Sequence, residues 1–361
     1  MKVILASPNF HQARGNTVTV QRISDGLNKL GIETKIINIT NDYEFTYLPK
    51  ADIVHGFNAY RFGQFIKRLA KRPERYVVTM TGTDLNIDLY DPEKKAVVSE
   101  TILHAEAIHV FDDEAKLVLS KELPEARDKI SVIHQGTVIF PEPGGDYKKE
   151  PGTFLFLLPA GIRKVKNIPF AIEKLKIIYE KNPEIRLWLA GPIIEEEEGY
   201  IVKSLAEENK EWIQYLGQIP HHHMGELYRQ ADAVLNTSHS EGQPAAILEA
   251  MGYCLPVLAA NNLGNRNIID HQETGLIYTN PVEFLDYADK LVNNYELRIK
   301  LGRAAKFYVE CSHSSEYEAK TLQKMYKTIL EKSQVNNHRQ GERNMSREEI
   351  IKLTSLSTKG G

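Results

Sequence analysis

The feature that most constrains this chain is a regular alternation of short β-rich runs with longer stretches of helical periodicity. In the first part of the chain the β-rich runs are 2–6 (KVILA), 34–39 (TKIINI), 52–55 (DIVH), 76–80 (YVVTM), 107–110 (AIHV) and 129–133 (KISVI). Between the first two runs, apolar residues keep a helical spacing until Gly31 supplies a stop. Alternation of this kind predicts a parallel sheet covered by helices on both faces.

A segment rich in Pro and Gly, 139–152 (IFPEPGGDYKKEPG), interrupts this pattern, which then restarts. The later β-rich runs are 153–159, 185–191, 231–238, 255–260 and 275–278, and helices are predicted near 167–181, 200–209, 282–293, 296–309 and 314–332. We therefore predict an α/β fold with two Rossmann-like domains that face each other across a cleft. Clefts between domains are common ligand sites.

The predicted boundaries follow from the same pattern. The first domain covers 1–140, a linker covers 141–152, and the second domain covers 153–312. Residues 313–332 are predicted to form a further helix, and 333–361 a polar linker and tail.

Composition excludes several classes of protein. A formal net charge of −3 gives no general attraction to nucleic acid. The amino-terminal apolar run is too short for a secretory signal, and the longest apolar stretch, 153–162, is about half of a membrane span. Cys254 and Cys311 lie far apart in the sequence, so we predict a cytoplasmic protein with unpaired thiols.

The sequence also lacks two common ligand motifs. It contains no Gly-x-Gly-x-x-Gly, so a nicotinamide dehydrogenase is not favoured, and no Asp-x-Asp at a strand end to clamp a metal against a sugar diphosphate. The consecutive histidines 221–223 cannot all face one metal ion from a regular element, and they predict a turn. We expect no cofactor and no bound metal.

Residues 240–250 (SEGQPAAILEA) place two carboxylates, Glu241 and Glu249, at either end of a mostly small and apolar stretch. Glu241 follows a strand, where open α/β sheets bind ligands, and Gly242 and Gln243 precede a helix whose free N–H groups attract anions. Glu249 lies one and a half turns into that helix and points back toward its start. Two acceptors of hydroxyl groups with an anion site between them describe a nucleotide sugar.

The second part of the motif comes from 159–174 (PAGIRKVKNIPFAIEK), which places Arg163 and Lys166 at the end of the first strand of the second domain. Arg presents a planar fork to phosphate oxygens and Lys a compact charge, so the pair suits a diphosphate. The alternative is that these are an ordinary basic loop and that the two Glu residues are solvated charges.

Together these segments resemble the donor domain of glycosyltransferase family 4, the retaining enzymes of GT-B fold (the glycosyl transferases group 1 domain). The segments that carry the resemblance are 160–167 (AGIRKVKN), 190–192 (AGP), 215–220 (YLGQIP), 231–259 (ADAVLNTSHSEGQPAAILEAMGYCLPVLA) and 273–278 (ETGLIY). Before residue 140 the resemblance is weaker and rests on 15–27, 52–55, 81–88 and 129–136.

The resemblance implies roles for particular residues. Glu241 would contact the hydroxyls of the donor sugar and Glu249 the ribose, while Arg163 and Lys166 would neutralise the diphosphate. Arg163, Lys166 and Glu241 are the predicted catalytic residues. The GT-B fold also implies that the helix 313–332 returns toward the first domain. The remaining donor-binding residues are Gly242 and Gln243, at sugar and phosphate, and Gly217 and Ile219, beside the base. On the acceptor or sugar side the predicted residues are Gly15, Asn16, Asn58, Thr83 and Asp84.

One position departs from the family, which usually carries a His beside the anomeric carbon. In 52–63 (DIVHGFNAYRFG) that place falls on Phe57 or Asn58. Either Asn58 takes the sugar-facing role or His55 is shifted into it, and His55 at a strand end is equally compatible with a buried, hydrogen-bonded residue.

Two further segments remain. The basic segment 61–75 predicts attraction of an anionic acceptor or a weak membrane-surface contact, with a solvated helix face as the alternative. The end of the tail, 351–361 (IKLTSLSTKGG), resembles the start of selenophosphate synthetase (selenide, water dikinase). That resemblance predicts a truncated fusion to such a domain, and the alternative is a disordered tail with a chance match.

The sequence therefore predicts a retaining glycosyltransferase that moves a hexosyl group from a nucleotide sugar, by default a UDP-sugar, to a small acceptor. If the tail resemblance holds, the acceptor is selenophosphate and the product a selenosugar, as in the selenosugar synthases. Two alternatives stay open, namely a UDP-sugar epimerase of GT-B fold and a catalytically silent subunit that binds a sugar nucleotide.

Overall fold

A computed structural model of the chain describes residues 1–10, 15–40, 46–137, 140 and 147–332. Parts of the predicted linker and all of the tail from 333 to 361 lie outside these described residues. The predicted polar tail, the fusion and the selenophosphate synthetase resemblance therefore stay predictions.

The first domain is built on a parallel sheet whose strand order is β2-β1-β3-β4-β5-β6. Its strands are β1 (Lys2–Ser7), β2 (Glu33–Asn38), β3 (Ile53–Phe57), β4 (Tyr76–Thr79), β5 (Ala107–Val110) and β6 (Ile130–Val132). Its helices are α1 (Gly15–Lys29), α2 (Ala59–Arg68), α3 (Lys95–Leu103) and α4 (Asp113–Glu122), with a π-helical turn at Asp84–Asp88 and a 3-10 segment at Pro124–Lys129. Apolar clusters cover both faces of the sheet, as expected when crossover helices pack on each side.

The second domain carries a parallel sheet of order β12-β11-β10-β7-β8-β9. Its strands are β7 (Phe154–Pro159), β8 (Ile185–Ala190), β9 (Ile213–Gly217), β10 (Ala233–Asn236), β11 (Val257–Ala260) and β12 (Leu276–Tyr278). Its helices are α5 (Ile168–Tyr179), α6 (Glu196–Glu208), α7 (Met224–Gln230), α8 (Ala245–Gly252), α9 (Leu263–Arg266), α10 (Pro281–Asn293) and α11 (Tyr295–Ser312), with 3-10 turns at Lys164–Lys166 and His221–His223. The predicted α/β fold class with two domains is confirmed. None of the helices described is long and apolar enough to cross a membrane.

A last helix, α12 (315–332), packs on the first domain and not on the second. Leu322, Tyr326 and Ile329 of α12 join Ile23 and Leu27 of α1 in one buried apolar cluster. Two segments therefore cross between the domains, and they run side by side where Thr137 donates a backbone hydrogen bond of 2.8 Å to His313 O.

A buried ion pair fixes α12 to α1. The guanidinium of Arg22 donates two hydrogen bonds, of 2.8 and 2.9 Å, to the carboxylate of Glu318. The two side chains are only 3% and 1% exposed, so each charge depends on the other for compensation.

A chain of buried hydrogen bonds also ties α12 to the sheet of the first domain. Tyr326 Oη lies 2.6 Å from His55 Nδ1, and His55 Nε2 lies 2.6 Å from Thr79 Oγ1. Thr79 Oγ1 lies 2.8 Å from His109 Nδ1, whose Nε2 donates to Ile133 O. Because a carbonyl can only accept, the chain is satisfied with both rings neutral, in agreement with burial, which lowers the pKa of both His55 and His109.

We predict that Glu318→Ala destabilises the protein by about 3–5 kcal/mol, because it leaves Arg22 as an uncompensated buried charge. The free energy of urea unfolding measures the loss. The matched control is Glu316→Ala on the same helix, whose ion pair with Lys320 is exposed and whose loss should change stability little. Equal stability of the two variants would contradict the anchoring role of the Arg22–Glu318 pair.

Candidate functional site at the seam between the domains

The order of the strands places a crevice in the second domain between β7 and β10. These neighbours lie where the strand order reverses, so the loops that follow them leave toward opposite faces of the sheet. Ligands of open α/β sheets bind at this point, outside the carboxyl ends of the strands. The loop after β7 carries Arg163 and Lys166, and the loop after β10 carries Glu241. The fold thus brings together the three residues predicted to be catalytic from two distant parts of the sequence.

Lys166 and Glu241 form an ion pair in this crevice. Lys166 Nζ lies 2.5 Å from Glu241 Oε1, and the side chains are 14% and 11% exposed. Ser238 Oγ and Asn236 Nδ2 donate to the same carboxylate oxygen at 2.6 and 3.0 Å. Burial raises the pKa of Glu241, but Lys166 and these hydrogen bonds outweigh it and hold the pKa below its ordinary value. Glu241 is therefore an ionised acceptor.

Arg163 and Gln243 present donors that the described residues leave without partners. Arg163 Nε and Gln243 Nε2 are both buried and make no hydrogen bond within that part of the protein. A buried donor without a hydrogen-bond partner lowers the stability of the folded protein, unless a bound ligand supplies an acceptor. Helix α8 begins just after Pro244, and the proline side chain has no acceptor atom that could cap the first N–H groups of the helix. A ligand with several acceptor oxygens would give hydrogen-bond partners to these donors of the crevice.

The carboxylate of Glu249, a residue of α8, forms hydrogen bonds with two residues from the preceding turn and helix. Tyr228 Oη donates to Glu249 Oε2 at 2.8 Å, and His221 Nε2 lies 2.8 Å from Glu249 Oε1. The carboxylate is buried, and its partner His221 begins the 3-10 turn that follows β9. The predicted base-side residues, Gly217 at the end of β9 and Ile219 after it, come just before this turn in the sequence. Sequence reasoning missed Tyr228 and His221 as partners of Glu249, since they come from another loop and helix.

The first domain closes over the crevice. A Cβ added to Gly82 would lie 2.8 Å from the backbone N of Gly242, so the two glycines are in direct contact across the seam. The cavity that remains beside them has a volume of about 20 Å³ and is lined by Thr81 and Asn86 among others. This is room for about one water molecule.

Thr81 is a seam-facing residue of the first domain that could not be singled out from the sequence. Its hydroxyl donates to Asp84 Oδ1 at 2.7 Å and accepts from Asn58 Nδ2 at 3.1 Å. Asp84 also accepts from the backbone N–H groups of Ala59 and Thr81. Burial raises the pKa of Asp84 to about 6, against the opposing effect of these hydrogen bonds. The hydrogen bonds with Asn58 and Asp84 thus fix the position of the Thr81 hydroxyl.

Asn58 carries backbone strain at this point. Its φ of 67° and ψ of 105° are unusual for a residue other than Gly, and its side chain caps α2 by accepting from Arg61 N. Thr83 precedes the π-helical turn without capping it through its side chain. The predicted acceptor-side roles of Asn58, Thr83 and Asp84 stay predictions.

Helix α1 begins at Gly15 and packs against α8 across the seam. The predicted residues Gly15 and Asn16 therefore lie at the end of a helix that reaches the second domain, and the backbone alone is described there. Their acceptor-side roles also stay predictions.

Of the alternatives for His55, the structure supports the buried one. The residue is fully buried, and both ring nitrogens are engaged in the hydrogen-bonded chain to Tyr326 and Thr79. His55 is therefore a part of the core of the first domain and does not face the seam.

Three of the six basic residues in segment 61–75 form ion pairs with neighbouring carboxylates. Lys67 and Arg72 both pair with Glu100, and Lys71 pairs with Glu74. The solvated helix face and the membrane-surface contact both stay predictions.

Two further observations concern ligands. Among the described residues there is no group of three or more His, Cys, Asp and Glu side chains that could hold a metal ion. A groove of about 800 Å³ lies along the edge strand β9, away from the crevice. Its charged lining residues include Lys149, Arg186 and Lys210, which are paired with Asp232, Glu150 and Glu207. These charges are already satisfied, unlike the donors of Arg163 and Gln243.

Two parallel α/β domains that meet over a crevice at the strand ends define the GT-B glycosyltransferase fold. The chain is similar over 91% of its length to sucrose-phosphate synthase from Thermosynechococcus elongatus (TM-score 0.74, 15% identity, 99% of that chain). It is also similar over 91% of its length to Anabaena HepE in complex with UDP and glucose (TM-score 0.71, 13% identity, all of that chain).

Sequence relatives give the family. Residues 145–307 match the family described as glycosyl transferases group 1. The chain is 30% identical over 340 residues to "Glycosyltransferase 1 domain-containing protein 1" of Xenopus tropicalis, covering 90% of this chain and 96% of that protein. The chain belongs to the glycosyl transferases group 1 family.

We predict that Gly82→Ala prevents full closure of the domains, because the added Cβ would clash with the backbone of Gly242. Small-angle X-ray scattering should show a larger radius of gyration, with little change in the melting temperature. The matched control is Gly252→Ala, whose Cβ would meet nothing nearer than 3.8 Å. A radius of gyration unchanged in both variants would show that the seam is not a closing contact.

Proposed function

We propose that the chain is a retaining glycosyltransferase, of the family 4 type, that transfers a hexosyl group from a nucleotide sugar to a small acceptor. The observation that carries the proposal is the pair of buried, unpartnered donors on Arg163 and Gln243 beside the cation of Lys166. A diphosphate supplies the acceptor oxygens that this arrangement requires.

The chemistry assigned to these residues is stabilisation of the leaving group. When the bond between the anomeric carbon and the diphosphate breaks, negative charge grows on the phosphate oxygen. Arg163, Lys166 and the start of α8 are donors fixed in place before the reaction, and such groups stabilise charge at the smallest cost in reorganisation. They therefore act mainly on turnover.

The carboxylates have a different task in the proposal. Glu241 stays ionised because of Lys166, so it can only accept hydrogen bonds, and the hydroxyls of a hexose are suitable donors. Glu249 is proposed to accept from the ribose, displacing or sharing its present contacts with Tyr228 and His221. Glu249 therefore acts mainly on binding, and Glu241 positions the sugar at the reacting centre.

A UDP-sugar is the proposed donor. HepE, which shares the fold, was crystallised with UDP and glucose, and this supports uridine as the first base to test. In the proposal the cations and the helix start take the place of a metal ion, so activity should survive EDTA.

The acceptor is the least constrained part of the proposal. The resemblance of 351–361 to selenophosphate synthetase suggests selenophosphate, with a selenosugar as product. Mass spectrometry of the products formed from a UDP-sugar with selenophosphate identifies or eliminates that acceptor. The genomic codons after Gly361 test the fusion independently, since a TGA followed in frame by Gly-Cys-Lys would support it.

The alternatives differ in what they release. A glycosyltransferase slowly hydrolyses its donor and releases UDP, an epimerase releases none, and a silent binding subunit gives only a thermal shift. The match to the glycosyl transferases group 1 family favours the transferase.

We predict that Arg163→Ala lowers kcat for UDP-sugar hydrolysis by about 10²–10³-fold, because one donor to the developing charge is lost. Glu249→Ala should instead weaken UDP binding by about 1–3 kcal/mol. Steady-state kinetics in EDTA and calorimetric titration with UDP separate the two effects.

The matched control is Lys164→Ala, a neighbouring exposed cation, which should leave both quantities near the wild-type values. Glu249→Gln keeps an acceptor for Tyr228 Oη, so this variant tests the binding role even if Glu249→Ala fails to fold. Unchanged kinetics and affinity in the Arg163 and Glu249 variants would contradict the site. Complete loss of activity in EDTA, restored by manganese, would contradict metal-independent transfer.

A further inference from the structure

Gln135 of the first domain carries a buried donor that the fold does not use. The residue is 2% exposed and lies in the segment after β6 that leads toward the second domain. Its Nε2 has no hydrogen-bond partner among the described residues. It is the only buried side-chain atom of this kind within the described part of the first domain. The described part of the second domain has four, of which those on Arg163 and Gln243 are donors of the crevice and those on Asn265 and Tyr278 are oxygen atoms.

The surroundings of Gln135 place it at the seam. Its backbone N donates to Gln243 Oε1 at 3.2 Å, and its own Oε1 accepts from Thr19 Oγ1 at 3.3 Å. Its backbone O accepts from His313 Nδ1 at 2.7 Å. The carboxamide of Gln135 therefore contacts α1, while its backbone contacts Gln243, beside the start of α8, and His313 of the interdomain crossing.

The bond from the Gln135 backbone also orients Gln243. Because an N–H must meet an acceptor, Oε1 of Gln243 is fixed toward Gln135, and Nε2 of Gln243 is turned away without a partner. For Gln135 itself, turning the carboxamide over would bond Nε2 to Thr19 and leave Oε1 unpaired. In either orientation one end of this buried amide requires a partner.

We propose that Gln135 is a substrate-binding residue, and that the carboxamides of Gln135 and Gln243, one from each domain, hold oxygen atoms of the same nucleotide sugar when the domains close. This proposal rests on the proposed function. The ligand is the donor substrate because Gln135 bonds directly to a residue of the donor crevice. The oxygen held by Gln135 belongs either to the diphosphate or to the transferred sugar.

Two substitutions of Gln135 test the proposal. Gln135→Leu removes the carboxamide at similar volume, and it should weaken binding of an intact UDP-sugar about tenfold, the effect of one lost hydrogen bond. Gln135→Glu keeps an acceptor for Thr19 and replaces the NH₂ group with a second carboxylate oxygen. Calorimetric titration with UDP and with UDP-glucose, in parallel with hydrolysis kinetics, measures both variants.

The two variants distinguish the sources of the oxygen. If Gln135 holds a phosphate oxygen, both variants weaken UDP, and Gln135→Glu does so more because like charges repel. If Gln135 holds a sugar hydroxyl, UDP binding is unchanged, Gln135→Leu weakens UDP-glucose, and Gln135→Glu retains binding because a hydroxyl can donate to a carboxylate. Either pattern supports the proposal.

Stability separates a binding role from a structural one. A residue kept for ligand binding leaves the melting temperature of Gln135→Leu equal to or above that of the wild type, since an unpaired buried amide is removed. The control is Gln214→Leu, an exposed glutamine on the edge strand β9. Unchanged affinities and hydrolysis in both Gln135 variants, or a melting temperature well below that of the control, would overturn the proposal. Failure of the wild type to bind UDP and UDP-glucose would instead overturn the proposed function, and this proposal with it.

Discussion

The ion pair between Lys166 and Glu241 exists because β7 and β10 are neighbours in a parallel sheet. Parallel strands end at the same edge, and at the reversal of strand order their loops diverge and leave a crevice. The loop after β7 contributes cations, and the loop after β10 contributes Glu241 and the start of α8. The low pKa of Glu241 and the unpartnered donors of Arg163 and Gln243 all follow from this placement.

The crevice with its charged residues belongs to the second domain, and Gly82 of the first domain lies against it. Helix α12 is anchored to the first domain through the Arg22–Glu318 ion pair and the Tyr326–His55 hydrogen bond. Gly82 and Gly242 are in direct contact across the seam, and the cavity beside them has room for about one water molecule. The two interdomain crossings are joined by the hydrogen bond from Thr137 N to His313 O.

The fold class could be predicted because strand–helix alternation is a local pattern. Arg163, Lys166 and Glu241 could be placed because loops that follow parallel strands meet at one edge. The partners of Glu249 and the seam position of Gln135 could not, since they depend on contacts between residues such as Gln135 and Gln243, which are 108 positions apart. The sequence could not decide between the buried and the sugar-facing position of His55 for the same reason, because the partner Tyr326 lies 271 positions away.

The proposed donor site can be examined in a crystal structure of the chain with bound UDP. We expect the diphosphate within hydrogen-bonding distance of Arg163, Lys166 and Gln243, at the start of α8, with the ribose near Glu249. A nucleotide bound in the groove along β9, or a diphosphate that contacts neither Arg163 nor Lys166, would contradict the proposed site.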